Sequence, residues 1–204
     1  LSEVLEVPSL STGEIFRHMM KSELPLGLKL KDTINQGNLV DDDLMIDILK
    51  KRIEEEDCKK GFVLDGFPRT LPQAEALTKW LKSQGGLDHF IAINMYIDQS
   101  IILERLAGRY TCAACGHPYH EKYAQPLRAG KCEKCGATEF KKREDDVPEA
   151  ILRRLEIYNR ESEAILKYYK SIRRIINVDA NRSMEDIYKN IYHEVMQKCK
   201  VGYM

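Results

Sequence analysis

No charge of either sign is in surplus in this chain of 204 residues: Lys plus Arg and Asp plus Glu each number 32. A protein built to neutralise nucleic-acid phosphates needs a basic excess, so the composition speaks against that class. Long apolar runs are missing as well. None approaches the roughly 18–20 residues of a membrane span, and the opening residues, Leu1-Ser2-Glu3-Val4-Leu5-Glu6, lack the basic flank of a signal peptide. A cytoplasmic protein is expected, with an organelle matrix as the other possible setting. Internal repeats and low-complexity tracts are absent too. Cysteine is scarce, at six residues, too few for a disulfide scaffold of this length. Four of the six form two C-x-x-C pairs, which in a reducing compartment point to metal. Cys58 and Cys199 stand alone on expected helices and read as small buried hydrophobes.

What is present is an alternation of short apolar runs with amphipathic stretches. Leu1 to Glu6 reads as the tail of a helix that Pro8 ends. Ser11 and Glu14, at capping-box spacing, start a helix through Arg17 and Met20. Further helices are expected over 28–36, from Asp41 or Asp42 to Glu56, and from Pro72 to Gln84. The second of these has Leu44, Ile48, Leu49 and Ile53 as its apolar stripe. Later helices should cover 100–106, 148–171 and 184–198. Strands are expected at 62–64, 90–97 and 175–178, the first two as runs buried on both faces. Strands alternating with helices imply a parallel α/β core. The cysteine-bearing stretch 110–140 breaks the pattern and reads as an insertion between core helices.

The segment Gly61 to Gln73, Gly-Phe-Val-Leu-Asp-Gly-Phe-Pro-Arg-Thr-Leu-Pro-Gln, carries the densest chemistry. An apolar run ends in an acid, a glycine and a Pro-Arg pair, at the carboxyl end of a strand where open α/β sheets bind ligands. Asp65 suits a hydrated metal ion, Gly66 allows close approach to backbone, and Arg69 offers a fork for phosphate. Together they suggest a phosphate site.

Cys112, Cys115, Cys132 and Cys135 form two knuckles, each followed by glycine, close enough in sequence for one tetrahedral zinc site with four sulfurs. Such a closed site is structural: it cross-links an insert too short for its own hydrophobic core. His117 and His120 lie nearby as bystanders. Arg105 and Arg109, four apart, read as one helical face, and Arg143 and Arg154 flank the insert on its other side. If the insert folds over the mouth of the sheet, all four arginines converge on Asp65 and Arg69. That is the arrangement phosphoryl transfer requires.

These motifs resemble the adenylate kinases, specifically the long form with a zinc lid. The resemblance rests on Leu10-Ser-Thr-Gly-Glu-Ile-Phe-Arg17, Gly37-Asn-Leu-Val40, Gly61 to Thr70, Gln73, Leu106-Ala-Gly-Arg109, the four cysteines, Arg143-Glu-Asp-Asp146 and Arg153-Arg-Leu155, and it spans nearly the whole chain. It implies an α/β fold with a P-loop NTPase-like parallel sheet flanked by helices, an AMP-binding helical insert and a small zinc-ribbon-like lid. The implied division is core over 1–10, AMP-binding domain over 11–60, core over 61–109, lid over 110–146 and core over 147–204. The implied reaction is reversible transfer of phosphate from ATP to AMP, giving two ADP, in a monomer with zinc in the lid and magnesium arriving with ATP. ATP and AMP or ADP are then the partners, with no nucleic acid and no membrane.

By the same resemblance, AMP is held by Thr12, Gly13, Arg17, Asn38, Leu39, Val40, Gly66, Phe67, Pro68, Arg69, Gln73, Arg143 and Arg154. Arg17 and Arg69 would grip its phosphate and Gln73 its adenine. ATP falls to Arg105, Arg109, Pro118, Tyr119 and Arg182. Catalysis falls to Asp65, which orients magnesium through water, and to Arg69, Arg109, Arg143 and Arg154, which neutralise charge on the phosphates. Thr70 with Gln73 resembles the AMP-selective members.

The family opens with a strand and the loop G-x-x-G-x-G-K-[ST], which cradles donor phosphates with backbone amides and lysine. That pattern does not occur in the given chain. In the family the strand lies mid-sheet, and its loss would leave buried backbone groups unpaired at about 1–3 kcal/mol each. The natural protein is therefore expected to carry the segment and to be active. The alternatives are a truncated, inactive nucleotide-binding scaffold, or a kinase with GTP as donor.

Overall fold

Two parallel strand pairs form the core of the computed structural model, which describes residues 1–20, 33–34, 36, 38–127, 130–142 and 146–201. Arg143, Gly37 and most of the helix expected over 28–36 lie outside the described residues, as do the side chains of Arg17 and Cys199. In the first pair, β1 (Ser9–Ser11) runs parallel to β2 (Val63–Asp65), with Leu10 opposite Leu64 and Ser11 opposite Asp65. In the second, β3 (Ala92–Tyr96) runs parallel to β7 (Ile175–Asp179), with Ile93 opposite Ile176 and Tyr96 opposite Asp179. Among the described residues the two pairs share no hydrogen-bonded ladder. The expected parallel α/β architecture is present, divided over two pairs.

Helices cover the pairs. After the one-turn α1 (Ser2–Leu5), α2 (Thr12–Met20) follows β1 directly, so Ser11 closes a strand that its single apolar residue, Leu10, had not announced. The next helix, α3 (Asp42–Ile53), starts where Asp41 accepts the N–H of Leu44 at 3.2 Å and stops short of the expected Glu56. Met45, Leu49 and Ile53 form its buried face, while Leu44 and Ile48 are half-buried. Pro72 sits in the first turn of α4 (Leu71–Ser83), where its missing N–H costs nothing, and Thr70 caps the helix by accepting the N–H of Gln73. Leu10, Phe16, Met45, Leu49, Ile53, Leu77 and Leu81 then share one core.

The second pair, followed from β3 by α5 (Gln99–Ala107), has α6 (Pro148–Ser171) and α7 (Met184–Val201) packed against β7. Its core joins Ile176, Val178, Ala180, Ile187 and Val195. The cysteine segment forms a sheet of its own, antiparallel in the order β5-β4-β6, from β4 (Arg109–Cys112), β5 (Pro118–His120) and β6 (Phe140–Lys142). Among the described residues no helix is long and apolar enough to cross a membrane.

Candidate active site

The turn after β2 is tied to the start of α2. The Thr12 hydroxyl, almost fully buried, donates to the Gly66 carbonyl at 3.0 Å, and Arg69 Nε donates to the same carbonyl at 2.7 Å. Gly66 has φ +77°, and a Cβ there would lie 2.9 Å from both Thr12 Oγ1 and Arg69 Nη2. Only glycine fits. Phe67 is buried, and the Phe67–Pro68 peptide is cis. The Asp65 carboxylate stands exposed at the strand end. Arg69 keeps an exposed edge, yet surrounding protein lowers its pKa, the charge of Arg154 lowers it further, and Asp65 opposes both. Arg69, Arg154 and Asp65 therefore occupy one electrostatic site.

A second layer fixes this turn. Arg69 N–H donates to Gln73 Oε1 at 2.8 Å, while Gln73 Nε2 donates to Asp42 Oδ1 at 2.7 Å. Thr70 Oγ1 donates to the same carboxylate, at 3.0 Å from Oδ2. Asp42 is thus a shared acceptor for Gln73 of the candidate AMP site and for its neighbour Thr70, a role that no motif in the sequence marks. Asn38, Leu39 and Val40 are half-buried ahead of α3, with Val40 against the first core. Asn38 Oδ1 accepts from Arg153 Nε at 2.6 Å, so α6 reaches this loop. Gly13 lies in the first turn of α2, and Arg17 on the same helix is described by backbone alone.

The arginines divide. Arg109 opens β4, because α5 already ends at Gly108, so it does not share a helical face with Arg105 as the spacing suggested. Its guanidinium forks onto Asp146, which lies 3.6 Å from Arg154 Nη1 as well. Arg105 takes another direction. It reaches the Ala180 carbonyl at 3.4 Å and lies over the Tyr123 ring, while Arg182 Nε holds Asp179 at 3.2 Å. Two residues expected at ATP therefore meet at the end of β7. Arg143 lies outside the described residues.

The four sulfurs of Cys112, Cys115, Cys132 and Cys135 lie within 4.8 Å of one another, and the Cys112–Cys135 and Cys115–Cys132 pairs are each 3.6 Å apart. Zinc with about 2.3 Å bonds to four thiolates needs sulfurs roughly 3.8 Å apart, so the set fits zinc. Gly116 and Gly136, at φ +75° and +76°, close the two knuckles with N–H bonds to the Cys112 and Cys132 carbonyls. Burial alone would raise the Cys132 thiol. The Tyr119 hydroxyl, donating at 3.2 Å, and backbone N–H groups outweigh it and bring the pKa to about 6. Against a lowering contact from Ala137, the neighbouring thiols push Cys135 up to about 12. His117 and His120 are not among the four clustered ligands. Pro118 is exposed on β5, but the Tyr119 ring is buried between Tyr110 and Phe140 in the small core beside the sulfurs.

The base of the insert is braced twice more. Lys122 Nζ and Tyr123 Oη donate to the Glu104 carboxylate at 2.6 and 2.8 Å, and these bonds, that of Lys122 first, hold its pKa below the usual range. His120 Nδ1 accepts the N–H groups of Lys122 and Tyr123, turning Nε2 toward the Glu104 carbonyl.

Parallel strands flanked by helices, with arginines gathered at the strand ends and an insert whose four cysteines can hold zinc, fit a P-loop NTPase-like α/β protein. A family model described as adenylate kinase matches residues 1–174. The adenylate kinase of Clostridium tetani is 40% identical over 191 residues, covering 94% of this chain and 88% of the relative. That of Geobacter sulfurreducens is 38% identical over 200 residues, covering 98% and 90%. That of Enterococcus faecalis is 40% identical over 185 residues, covering 91% and 85%. The chain belongs to the adenylate kinase family of phosphotransferases.

Proposed function

We propose that this protein transfers a phosphoryl group reversibly from ATP to AMP, giving two ADP, by positioning and charge stabilisation without a covalent intermediate. The observation that supports this most is the meeting of Arg69, Arg154 and Asp65 at the end of β2. Two guanidinium groups whose charges already raise each other's energy gain most from an anion between them. Asp65, an exposed hard-oxygen donor, suits magnesium that keeps most of its waters and arrives with ATP.

In this reading residues 11–60 form the AMP-binding domain and 110–146 the lid over ATP, with core at 1–10, 61–109 and 147–204. Thr12, Gly13, Arg17, Asn38, Leu39, Val40, Gly66, Phe67, Pro68, Arg69 and Gln73 serve AMP, and Arg105, Arg109, Pro118, Tyr119 and Arg182 serve ATP. The buried Tyr119 ring leaves the backbone of β5, beside the exposed Pro118, as its means of contact. Arg143 and Arg154 reach the phosphates between the two nucleotides. The protein acts as a cytoplasmic monomer.

ADP formation by the natural protein tests this, with AMP, CMP, UMP and GMP compared as acceptors and ATP and GTP as donors. AMP with ATP should be fastest. A pyrimidine preference would overturn the acceptor assignment, and AMP binding without turnover would match a scaffold instead.

A further inference from the structure

We infer that Asp42 determines base selectivity at the candidate AMP site by fixing which way round the Gln73 amide is presented. The inference rests on Gln73 being the contact to the acceptor base. The amide orientation follows from its partners. Arg69 N–H can only donate, so Oε1 must face it, at 2.8 Å. The Asp42 carboxylate can only accept, so Nε2 must face it, at 2.7 Å. Gln73 and Thr70 are both buried, and Thr70 Oγ1 holds the same carboxylate, 3.0 Å from Oδ2 and 3.1 Å from Oδ1. Reversing the amide would set donor against donor at Arg69 and acceptor against acceptor at Asp42. Two part-buried unsatisfied contacts would replace two good bonds.

The lock leaves Gln73 one free lone pair on Oε1 and one free hydrogen on Nε2. An amide offering an acceptor beside a donor complements adenine, whose amino group donates beside a ring nitrogen that accepts. Hypoxanthine carries the opposite order, a carbonyl beside a ring N–H, and needs the reversed amide. Discrimination between the two bases is then a matter of how firmly the amide is held. A site whose polar groups cannot turn rejects the mismatched partner strongly. Asp42 is a positioning residue in this scheme, acting through Gln73 rather than touching the nucleotide.

Equilibrium binding of AMP and IMP to the wild type and to Asp42→Ala, Asp42→Asn and Asp43→Asn tests the inference. IMP lacks the guanine amino group, so the order of donor and acceptor is isolated. The wild type should prefer AMP. Asp42→Ala should weaken AMP by about tenfold and shrink the AMP-to-IMP ratio. Asp42→Asn keeps one oxygen toward Nε2 and should recover most of the ratio. Asp43, the exposed neighbouring acid in the same first turn of α3, controls for charge at the helix start. Its variant should change melting temperature and leave the ratio alone. A selective wild type whose ratio survives Asp42→Ala would overturn the role of Asp42 while leaving the AMP site intact. A folded wild type that binds neither nucleotide would overturn the site reading and this inference with it.

Discussion

Arg109 and Asp146 close the neck of the cysteine-bearing insert with two parallel bonds, Nε to Oδ2 at 2.8 Å and Nη2 to Oδ1 at 2.5 Å. One residue begins β4 where the chain leaves α5, and the other precedes α6 where it returns. The Asp146 side chain is only 5% exposed and also faces Arg154. Removing its charge leaves two guanidinium groups with an amide dipole between them. Asp146→Asn should therefore destabilise the protein by about 1–3 kcal/mol, read from the urea midpoint at unchanged slope. Arg109→Lys keeps the charge but loses the fork, and should cost less than Asp146→Asn.

The four sulfurs should take up one zinc per chain, measured by elemental analysis of the purified protein. Cys132→Ser should lose the metal. Cys58→Ser should retain it, since Cys58 is buried in the first core and lies outside the cluster. Chelation should raise hydrogen exchange in β4, β5 and β6 first, because the metal supplies most of that small sheet's cross-linking. AMP binding should persist. Parallel loss of AMP binding and β4–β6 protection would mean that the insert is not a separately stabilised unit.

Gly108 has no room for a side chain. A Cβ there would stand 2.6 Å from His120 Cε1, and the ring is held by the N–H groups of Lys122 and Tyr123. Gly108→Ala should destabilise by about 1–3 kcal/mol. Adding His120→Ala to that variant should recover part of the loss. A double-mutant cycle by thermal melting gives the coupling.

Acid should loosen the base of the insert through Glu104. Its pKa is depressed in the folded protein by the hydrogen bonds from Lys122 and then Tyr123. A depressed carboxyl adds stability that is complete above its unfolded pKa, about 4.3, and is lost as pH falls through the lower folded value. The wild-type melting temperature should thus fall faster below about pH 4.3 than that of Glu104→Gln. Equal slopes in that window would show that the Glu104 contacts carry no linkage.

The sequence exposed what depends on local periodicity and hid what depends on tertiary pairing. α6 runs over Pro148–Ser171 as expected, because a proline in the first turn and a long apolar repeat specify it locally. β1 escaped notice since three residues with one apolar position carry no pattern, and it is defined only by pairing with β2. The strands of the insert, of three or four residues, are likewise defined by their pairing. Arg109 was read as helical from its spacing to Arg105, but the helix stops at Gly108 and the chain turns there. The turn at Asp65, Gly66 and Arg69 and the four cysteines were legible because each motif is contiguous or nearly so. Asp42 was not, since its partners Thr70 and Gln73 lie at the cap and in the first turn of another helix. Tyr119, expected at ATP, gave no hint that its hydroxyl holds Cys132.

The most direct measurement follows the phosphate itself. The natural protein is given ATP labelled at the γ-phosphorus together with AMP and magnesium, and the products are separated. Phosphoryl transfer at a site formed by Asp65, Arg69 and Arg154 predicts label in the β-phosphate of ADP derived from AMP, and strong loss of that label in Arg69→Ala. Label that appears only as free phosphate, or ADP labelling unchanged in Arg69→Ala, would contradict it.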